Sequence, residues 1–309
     1  MSIPASLGNI ASEVARTVRR SRREDLEHPV EESNVARSQR LPAPMVVRAP
    51  GSERRNRHSA SHRGKHRGAE ASESFSRGFA ALGELALNGV QVSARATDLA
   101  TGAVLFSVDD HVVMPTASIG KVLLLVEVAA RIREGQFGPL SLLERELEDA
   151  VGDSGIWQHL QVPSLPVADL AALVGATSDN LATNVLLRHV GLEAVSARTE
   201  ALGLKRTALL DLVRDHRGPD DAPQLSVGSA NELTWLLSSL ARGEIVDPST
   251  SRRVISWLSL NNDLSLVGSA FGLDPLAHRS GDHGILLVNK TGTDNGVRSD
   301  VGVLRGPRA

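Results

Sequence analysis

The order of helical and strand patterns after residue 75 is the feature that most restricts the fold. One helical pattern is followed by two strand patterns around a glycine-containing loop, then by a block of helical patterns, and last by two more strands. Strands at both ends of a chain with helices between them are typical of an α+β fold. We therefore predict one antiparallel sheet built from both chain ends, with an all-α lobe inserted. The predicted helices are 75–88, 117–131, 141–150, 167–173, 179–190, 191–202, 226–243 and 248–260, and the predicted strands are 90–98, 103–108, 285–290 and 297–304.

Residues 1–74 differ in composition from the rest of the chain. They hold 14 Lys and Arg against 9 Asp and Glu, a net charge of +5, whereas residues 75–309 carry a net charge of −7. Ser, Arg, His, Pro and Gly dominate this segment, so it cannot bury enough apolar surface to offset the entropy of ordering. We predict a disordered basic tail at 1–74 and a folded domain at 75–309. An arm that binds nucleic acid or an anionic surface stays open as the alternative for the tail.

Composition argues against several classes of function. The chain has no cysteine, which excludes disulfides, thiolate metal sites and a thiol nucleophile. Aromatic residues make up only 3%, with no tyrosine, so recognition of nucleic acid bases by stacking is not expected. The histidines do not cluster at metal-ligand spacing, and we expect neither a metal nor a cofactor. No apolar run is long enough to span a membrane, and no basic segment followed by an apolar run marks an export signal.

A short segment around Ser118 carries the first chemical pattern. Ser118 and Lys121 lie three residues apart in the first turn of the predicted helix 117–131, so both side chains emerge on one face. A serine hydroxyl is a poor nucleophile without a base within reach, and a lysine amine can be that base when burial and neighbouring positive charge lower its pKa. Ser-x-x-Lys is nevertheless expected by chance roughly once in a chain of this length. The pattern alone decides nothing.

Two further tripeptides fall at the edges of predicted elements. Ser178-Asp179-Asn180 precedes a helix, and Lys290-Thr-Gly292 ends a strand. The Ser178 hydroxyl could pass a proton to a leaving nitrogen while Lys290 keeps that hydroxyl polarised. Asn180 offers an amide donor and acceptor to a substrate amide, and Gly292 allows close approach to the strand edge. Asp179 is expected to cap its helix and brace the loop.

Together, and in this order, the three motifs resemble the active site of the serine β-lactamase and penicillin-binding superfamily, class A β-lactamases most closely. The likeness covers residues 75–309. It implies a β-lactamase/transpeptidase-like fold and an acyl-enzyme at Ser118, with Lys121, Ser178 and Lys290 as its catalytic partners. It also implies an oxyanion hole formed by the backbone N–H groups of Ser118 and Thr293. The substrate-binding residues it implies are Asn180, Thr291, Gly292, Thr293 and Arg298, with Thr291 and Arg298 placed to bind a substrate carboxylate.

The segment that should carry the deacylating base departs from the family. In class A enzymes a glutamate about thirty-six residues after the middle serine activates the deacylating water. The same spacing here gives Arg214, and no glutamate lies nearby. Asp211 or Asp215 could substitute, although each side chain is one methylene shorter and water positioning tolerates little displacement. Both aspartates could equally brace the loop or be solvated.

The C-terminal end is the second departure. Seventeen residues follow Gly292, whereas the resemblance implies another strand in the middle of the sheet and a closing helix after Leu304. Without them, two strand edges stay unpaired and the apolar face of the first helix is exposed. We expect a shortened or divergent member of lowered stability.

Three functions stay open at this point. The first is a serine hydrolase resembling class A β-lactamase that hydrolyses β-lactam amide bonds, with roles in antibiotic resistance and β-lactam catabolism. The second is a penicillin-binding or D-Ala-D-Ala-peptidase-like protein that acylates but deacylates slowly, and the third is an inactive truncated homologue. The expected partner is a small β-lactam or a peptidoglycan-like peptide, and the expected state is a monomer. Family members usually act outside the cytoplasmic membrane, but the sequence as written predicts a cytoplasmic protein.

Overall fold

The computed structural model describes residues 67–278 and 284–306, with side chains from Phe75 onward. The chain divides into two units, Met1–Ser72 and Glu73–Ala309. Most of the predicted basic tail lies outside the described residues, and its disorder stays a prediction. The first described helix begins at Arg67 rather than at residue 75, so it takes in the last residues that the sequence assigns to the tail.

Seven α-helices and nine strands occupy the described part of the chain. The helices are α1 Arg67–Leu87, α2 Lys121–Arg133, α3 Val167–Thr177, α4 Asn180–Val190, α5 Leu192–Ala201, α6 Ala230–Arg242 and α7 Pro248–Leu258. The strands are β1 Ala94–Thr97, β2 Val104–Val108, β3 Met114–Pro115, β4 Leu142–Glu144, β5 Ser164–Pro166, β6 Ala208–Leu209, β7 Ser226–Gly228, β8 Leu286–Asp294 and β9 Val297–Arg305.

The strands confirm the predicted α+β class but do not form one continuous sheet. The N-terminal hairpin β1–β2 and the C-terminal hairpin β8–β9 are each antiparallel and two-stranded, while β3, β7 and β6 form a small third sheet and β4 pairs with β5. Within the described residues, β1, β2, β8 and β9 each pair with a single strand, so strand edges stay unpaired as the sequence predicts. Helix α1 likewise leaves Phe79 and Leu85 almost half exposed. The rings of Phe75 and Phe79 pack against Phe106 of β2, with ring centroids 5.7 and 4.5 Å from that of Phe106.

The core is aliphatic and centres on α2. Every residue from Val122 to Ala130 is buried, including Glu127, and α3, α4, α5 and α7 surround the helix. A helix that is apolar on all sides must lie inside the fold. Because α2 is enclosed in this way, the residues at its N-terminal end are held on a rigid support.

Three predictions are wrong, and tertiary pairing explains each. Residues 226–228, predicted as the start of a helix, form strand β7, because they pair with β3 and β6. Residues 141–150, predicted as an acidic helix, form strand β4 and a 3₁₀ turn at Leu147–Asp149, because β4 pairs with β5. The strand predicted to end at residue 290, before a turn at 291–296, continues to Asp294, because β8 keeps pairing with β9 as far as Asp294↔Val297 and leaves only Asn295-Gly296 in the turn. Asn-Gly is a favoured two-residue hairpin turn, and Gly296 has φ 70°. Lys290, Thr291 and Gly292 therefore lie inside a regular strand.

Candidate active site

Ser118 lies in a 3₁₀ turn, Ala117–Gly120, and α2 begins only at Lys121. Three residues per turn bring the side chains of positions i and i+3 into line, so Ser118 and Lys121 still share a face. Ala117 has a left-handed backbone with φ 48°, and the Ser226 hydroxyl donates to its carbonyl oxygen at 2.6 Å. Strained residues of this kind collect at functional sites and persist when their surroundings hold them in place.

The Lys121 ammonium joins the first motif to the second. Its side chain is fully buried, and Nζ donates to Asn180 Oδ1 at 2.6 Å and to the Ser178 carbonyl at 2.6 Å. Ser178 Oγ lies 3.3 Å from the same nitrogen. Burial, and then the positive charge of Lys290, lower the pKa of Lys121 well below its ordinary value, while Asp179 and Asp153 act in the opposite direction. A buried lysine with a lowered pKa is suited to accept a proton.

The Lys290 ammonium joins the third motif to the second from the other side. Nζ donates to Ser178 Oγ at 2.9 Å and to the Thr291 carbonyl at 2.7 Å. Burial lowers the pKa of Lys290 to about 8, opposed by the charges of Asp263 and Asp300. The Ser178 hydroxyl therefore lies between two lysine ammonium groups, which is the position needed by a group that relays a proton.

Ser178 and Asp179 are fixed by the junction between α3 and α4. Ser178 ends α3 with a left-handed backbone, φ 55°. The Asp179 carboxylate caps α4 by accepting from the Ala182 N–H at 2.9 Å, and it also accepts from the N–H groups of Ile156 and Trp157 at 2.8 and 2.9 Å. The prediction that Asp179 caps its helix and braces a loop is confirmed.

Gly292 brings β8 against the turn that carries Ser118. A Cβ atom at Gly292 would overlap the Thr116 carbonyl oxygen and would lie 3.2 Å from the Ser118 nitrogen. The Ser299 hydroxyl of β9 donates to the same Thr116 carbonyl at 2.9 Å. Only a residue without a side chain allows this approach. It brings the strand that carries Thr293 next to the Ser118 N–H, and the oxyanion role of these two groups stays a prediction.

Thr291 and Arg298 occupy different surroundings. Thr291 is buried, and its side chain hydrogen-bonds to Asp263. Arg298 is exposed beside the hairpin turn, where Nη1 donates to the carbonyl groups of Asp294 and Val297 at 3.0 and 2.8 Å. Binding of a substrate carboxylate by Thr291 and Arg298 stays a prediction.

The two candidate bases for deacylation are both engaged in the loop between β6 and β7. The Asp211 carboxylate accepts from Arg214 Nε at 2.9 Å and from Arg217 Nη1 at 2.6 Å. Although burial acts to raise it, the pKa of Asp211 lies below its ordinary value because of hydrogen bonds that include those from Arg214 and Arg217. Asp215 Oδ1 accepts from the Gly152 N–H at 2.9 Å. These contacts favour loop bracing over general-base catalysis, and the catalytic role of either aspartate stays a prediction.

Helix α4 fixes the same loop at Val213, a contact that the sequence analysis missed. Asn184 Nδ2 donates to the Val213 carbonyl at 3.0 Å, and the Val213 N–H donates to Asn184 Oδ1 at 2.9 Å. Asn180 and Asn184 are four residues apart on one face of α4, so the face that holds Lys121 also holds Val213. The helical spacing of the two asparagines was a readable signal, but the position of Val213 depends on a contact between residues far apart in the chain.

Behind Lys290 lies a polar network that sequence reasoning also missed. Asn289 Nδ2 donates to Asp300 Oδ1 at 3.0 Å, and Asn261 Nδ2 donates to Asn289 Oδ1 at 2.8 Å. Burial raises the pKa of Asp300. Asp263 and Asp300 are near enough to stabilise the charge on Lys290, but no short motif connects either aspartate to the site.

Comparison with solved structures places this fold among known enzymes. The β-lactamase of Sphaerobacter thermophilus DSM 20745 is 23% identical and gives a TM-score of 0.66 over 75% of this chain and 84% of that one. An ancestral class A β-lactamase, from the last common ancestor of Gram-negative bacteria, is 25% identical, with a TM-score of 0.61 over 74% and 85%. The protein named PBP-A is 23% identical, with a TM-score of 0.59 over 70% and 76%. Among curated protein sequences, a search found no match.

The fold and the serine–lysine site define a serine hydrolase of the β-lactamase and penicillin-binding superfamily. The chain belongs to the beta-lactamase enzyme family, whose model matches residues 75–309. Among the helices of the described residues, none is both long and apolar enough to cross a membrane.

Proposed function

We propose that this protein forms an acyl-enzyme at Ser118 with β-lactams or related peptide amides, and that it deacylates slowly. The observation that carries the proposal is the Ser178 hydroxyl between two buried lysines, one of which also shares a face with Ser118. That arrangement supplies a base for the nucleophile and a proton donor for the leaving group within one hydrogen-bonded set.

Acylation would proceed by proton transfers among these side chains as the bonds to the carbonyl carbon form and break. Neutral Lys121 takes the proton of Ser118 as Ser118 Oγ attacks the carbonyl carbon. The oxyanion that develops is stabilised by the backbone N–H groups of Ser118 and Thr293. As the amide bond breaks, Ser178 donates its proton to the leaving nitrogen and receives in its place the proton that Lys121 took from Ser118, across the 3.3 Å between Lys121 Nζ and Ser178 Oγ. Lys290, still protonated, polarises the Ser178 hydroxyl, and Asn180 holds both Lys121 and a side-chain amide of the substrate.

Slow deacylation is supported by the loop between β6 and β7. Hydrolysis of the acyl-enzyme needs a base that activates a positioned water. The loop residue that Asn184 fixes is Val213, which has no titratable group, and the nearby carboxylates of Asp211 and Asp215 are already hydrogen-bonded. Acylation itself, and not its rate of reversal, is supported by a matched structure, a leucine-to-glutamate variant of PBP-A solved as an acyl-enzyme complex with penicillin G.

Rapid hydrolysis of β-lactams is the second candidate function. It is favoured by the matched structures that are themselves called β-lactamases. Roles in antibiotic resistance and β-lactam catabolism would follow from this candidate and not from a long-lived acyl-enzyme.

The test is to mix the protein with benzylpenicillin and follow its intact mass over time, beside turnover of a chromogenic cephalosporin. We expect an adduct of one penicillin that persists and that Ser118→Ala abolishes. Rapid return to the free protein, with turnover, would instead establish the β-lactamase. The absence of both adduct and turnover in a folded protein would refute the proposal and favour an inactive homologue.

A further inference from the structure

Asp153 is a charged residue beside the site whose carboxylate makes no hydrogen bond or ion pair with the described residues. Asp153 is exposed, and its backbone carbonyl accepts a hydrogen bond from Gln158 Nε2 at 2.8 Å. Asp179, by contrast, is buried with its carboxylate bonded to three N–H groups. Asp153 is therefore free to bind something that arrives from solvent.

The backbone on both sides of Asp153 is bound to Asn180. The Gly152 carbonyl accepts from Asn180 Nδ2 at 2.9 Å, and the Ser154 carbonyl accepts from the Asn180 N–H at 2.9 Å. The remaining polar atom of the Asn180 side chain, Oδ1, accepts from Lys121 Nζ. One asparagine thus ties the segment around Asp153 directly to the proposed base.

The conformation of Asp153 also sets it apart. Its φ of 65° is left-handed, a state that non-glycine residues seldom adopt. Of the five described residues that share this feature, Ala117 precedes the nucleophile and Ser178 is the proposed proton relay; Asp109 and Val246 lie elsewhere. Left-handed residues held firmly by their surroundings are often found where a side chain must be presented to a ligand.

The negative charge of Asp153 acts on Lys121 inside the site. It acts to raise the pKa of Lys121, so the carboxylate lies within electrostatic reach of the proposed base. Other carboxylates near the two lysines, those of Asp179, Asp263 and Asp300, already accept hydrogen bonds from protein groups. A cationic group that enters the site would therefore pair with the carboxylate of Asp153.

We propose that Asp153 is a specificity-determining residue that binds a cationic group of the acyl donor. An ammonium group on the substrate, close to the amide that Ser118 attacks, would pair with the Asp153 carboxylate. Substrates with a free amine at that position are then acylated in preference to neutral ones. This inference rests on the proposed acylation at Ser118.

Two penicillins that differ by one amino group provide the test. Ampicillin carries an ammonium group on the side chain where benzylpenicillin has hydrogen, so the ratio of their acylation efficiencies isolates the charge. Both are measured by mass spectrometry at a pH where the ammonium stays protonated. We expect Asp153→Asn to lower the ampicillin-to-benzylpenicillin ratio about two- to fivefold, the size of an exposed ion pair. An effect of the substitution on Lys121 would act on both penicillins alike and cancels in the ratio. Asparagine accepts the left-handed backbone, so the fold should be kept.

Asp109→Asn is the matched control, because Asp109 is also exposed and left-handed, with φ 43°, but lies at the end of β2. It should leave the ratio unchanged. In the unaltered protein, added salt should lower the ratio, since salt screens exposed charge pairs, and this measurement decides the matter even if Asp153→Asn does not fold. An unchanged ratio in Asp153→Asn, or a salt-independent one, overturns the inference while acylation at Ser118 still stands. If neither penicillin acylates the unaltered protein, the proposed function fails, and this inference fails with it.

Discussion

The side-chain amide of Asn184 holds the backbone of Val213 by two hydrogen bonds, one to the carbonyl at 3.0 Å and one from the N–H at 2.9 Å. This pair fixes the loop between β6 and β7 against α4, on the face where Asn180 binds Lys121. The residue so fixed is apolar. In the proposed mechanism, the identity of residue 213 therefore bears on how an acyl-enzyme at Ser118 would be hydrolysed.

We predict that Val213→Glu shortens the lifetime of the acyl-enzyme. The variant places a carboxylate on a backbone that Asn184 already positions, and general-base catalysis contributes about 10²–10⁴-fold when the base is well placed. A gain of at least about tenfold in the deacylation rate is expected even with imperfect geometry. The measurement is the decay of the penicillin adduct by mass spectrometry.

Val213→Gln is the control for Val213→Glu. Glutamine matches glutamate in size but cannot act as a base, so it should leave the adduct as persistent as in the unaltered protein. Equal acceleration by both variants would show that loop disturbance, and not a base, is responsible.

Acylation should lose efficiency as the pH rises through about 8. The pKa of Lys290 is lowered to about 8 by burial, and Lys290 must keep its proton to polarise Ser178 Oγ. Above that pH its charge is lost, and with it the donor to the relay. The measurement is the pH dependence of the acylation rate at low penicillin concentration, corrected for hydrolysis of the antibiotic.

Lys290→Arg tests whether Lys290 causes the loss of acylation above about pH 8. A guanidinium stays protonated throughout this range, so the fall in the acylation rate near pH 8 should disappear in the variant, even if the overall rate is lower. If the acylation rate of the variant still falls near pH 8, the fall is due to the titration of another group.

Asp179→Ala should strongly destabilise the domain. The carboxylate is buried and accepts from three backbone N–H groups, which would lose their partner. We expect the free energy of unfolding in urea to fall by about 3 kcal/mol. Asp169→Ala, at an exposed aspartate in the first turn of α3, should cost no more than about 1 kcal/mol. Similar losses in the two variants would contradict the structural role given to Asp179.

Local patterns predicted the elements that local forces determine. The helix that begins at Asn180 and the two terminal hairpins follow from capping residues, apolar spacing and turn residues near one another in the chain. Residues 141–150 were misread because β4 is stabilised by pairing with β5, some twenty residues later. The end of β8 was misread because Thr291 and Gly292 suit a turn locally, whereas β9 supplies their partners.

The sequence by itself determined the chemical groups of the site. The sequence predicts Ser118, Lys121, Ser178, Asn180 and Lys290 as site residues because each motif combines residue types that acyl transfer requires, at a spacing that local structure makes meaningful. Only the tertiary structure decided how those groups behave. The lowered pKa of Lys121 comes from its burial and from Lys290, far along the chain. The fixed position of Val213 and the free carboxylate of Asp153 likewise depend on segments that only folding brings to α4, since electrostatic fields and hydrogen bonds depend on distance in space and not on distance along the chain.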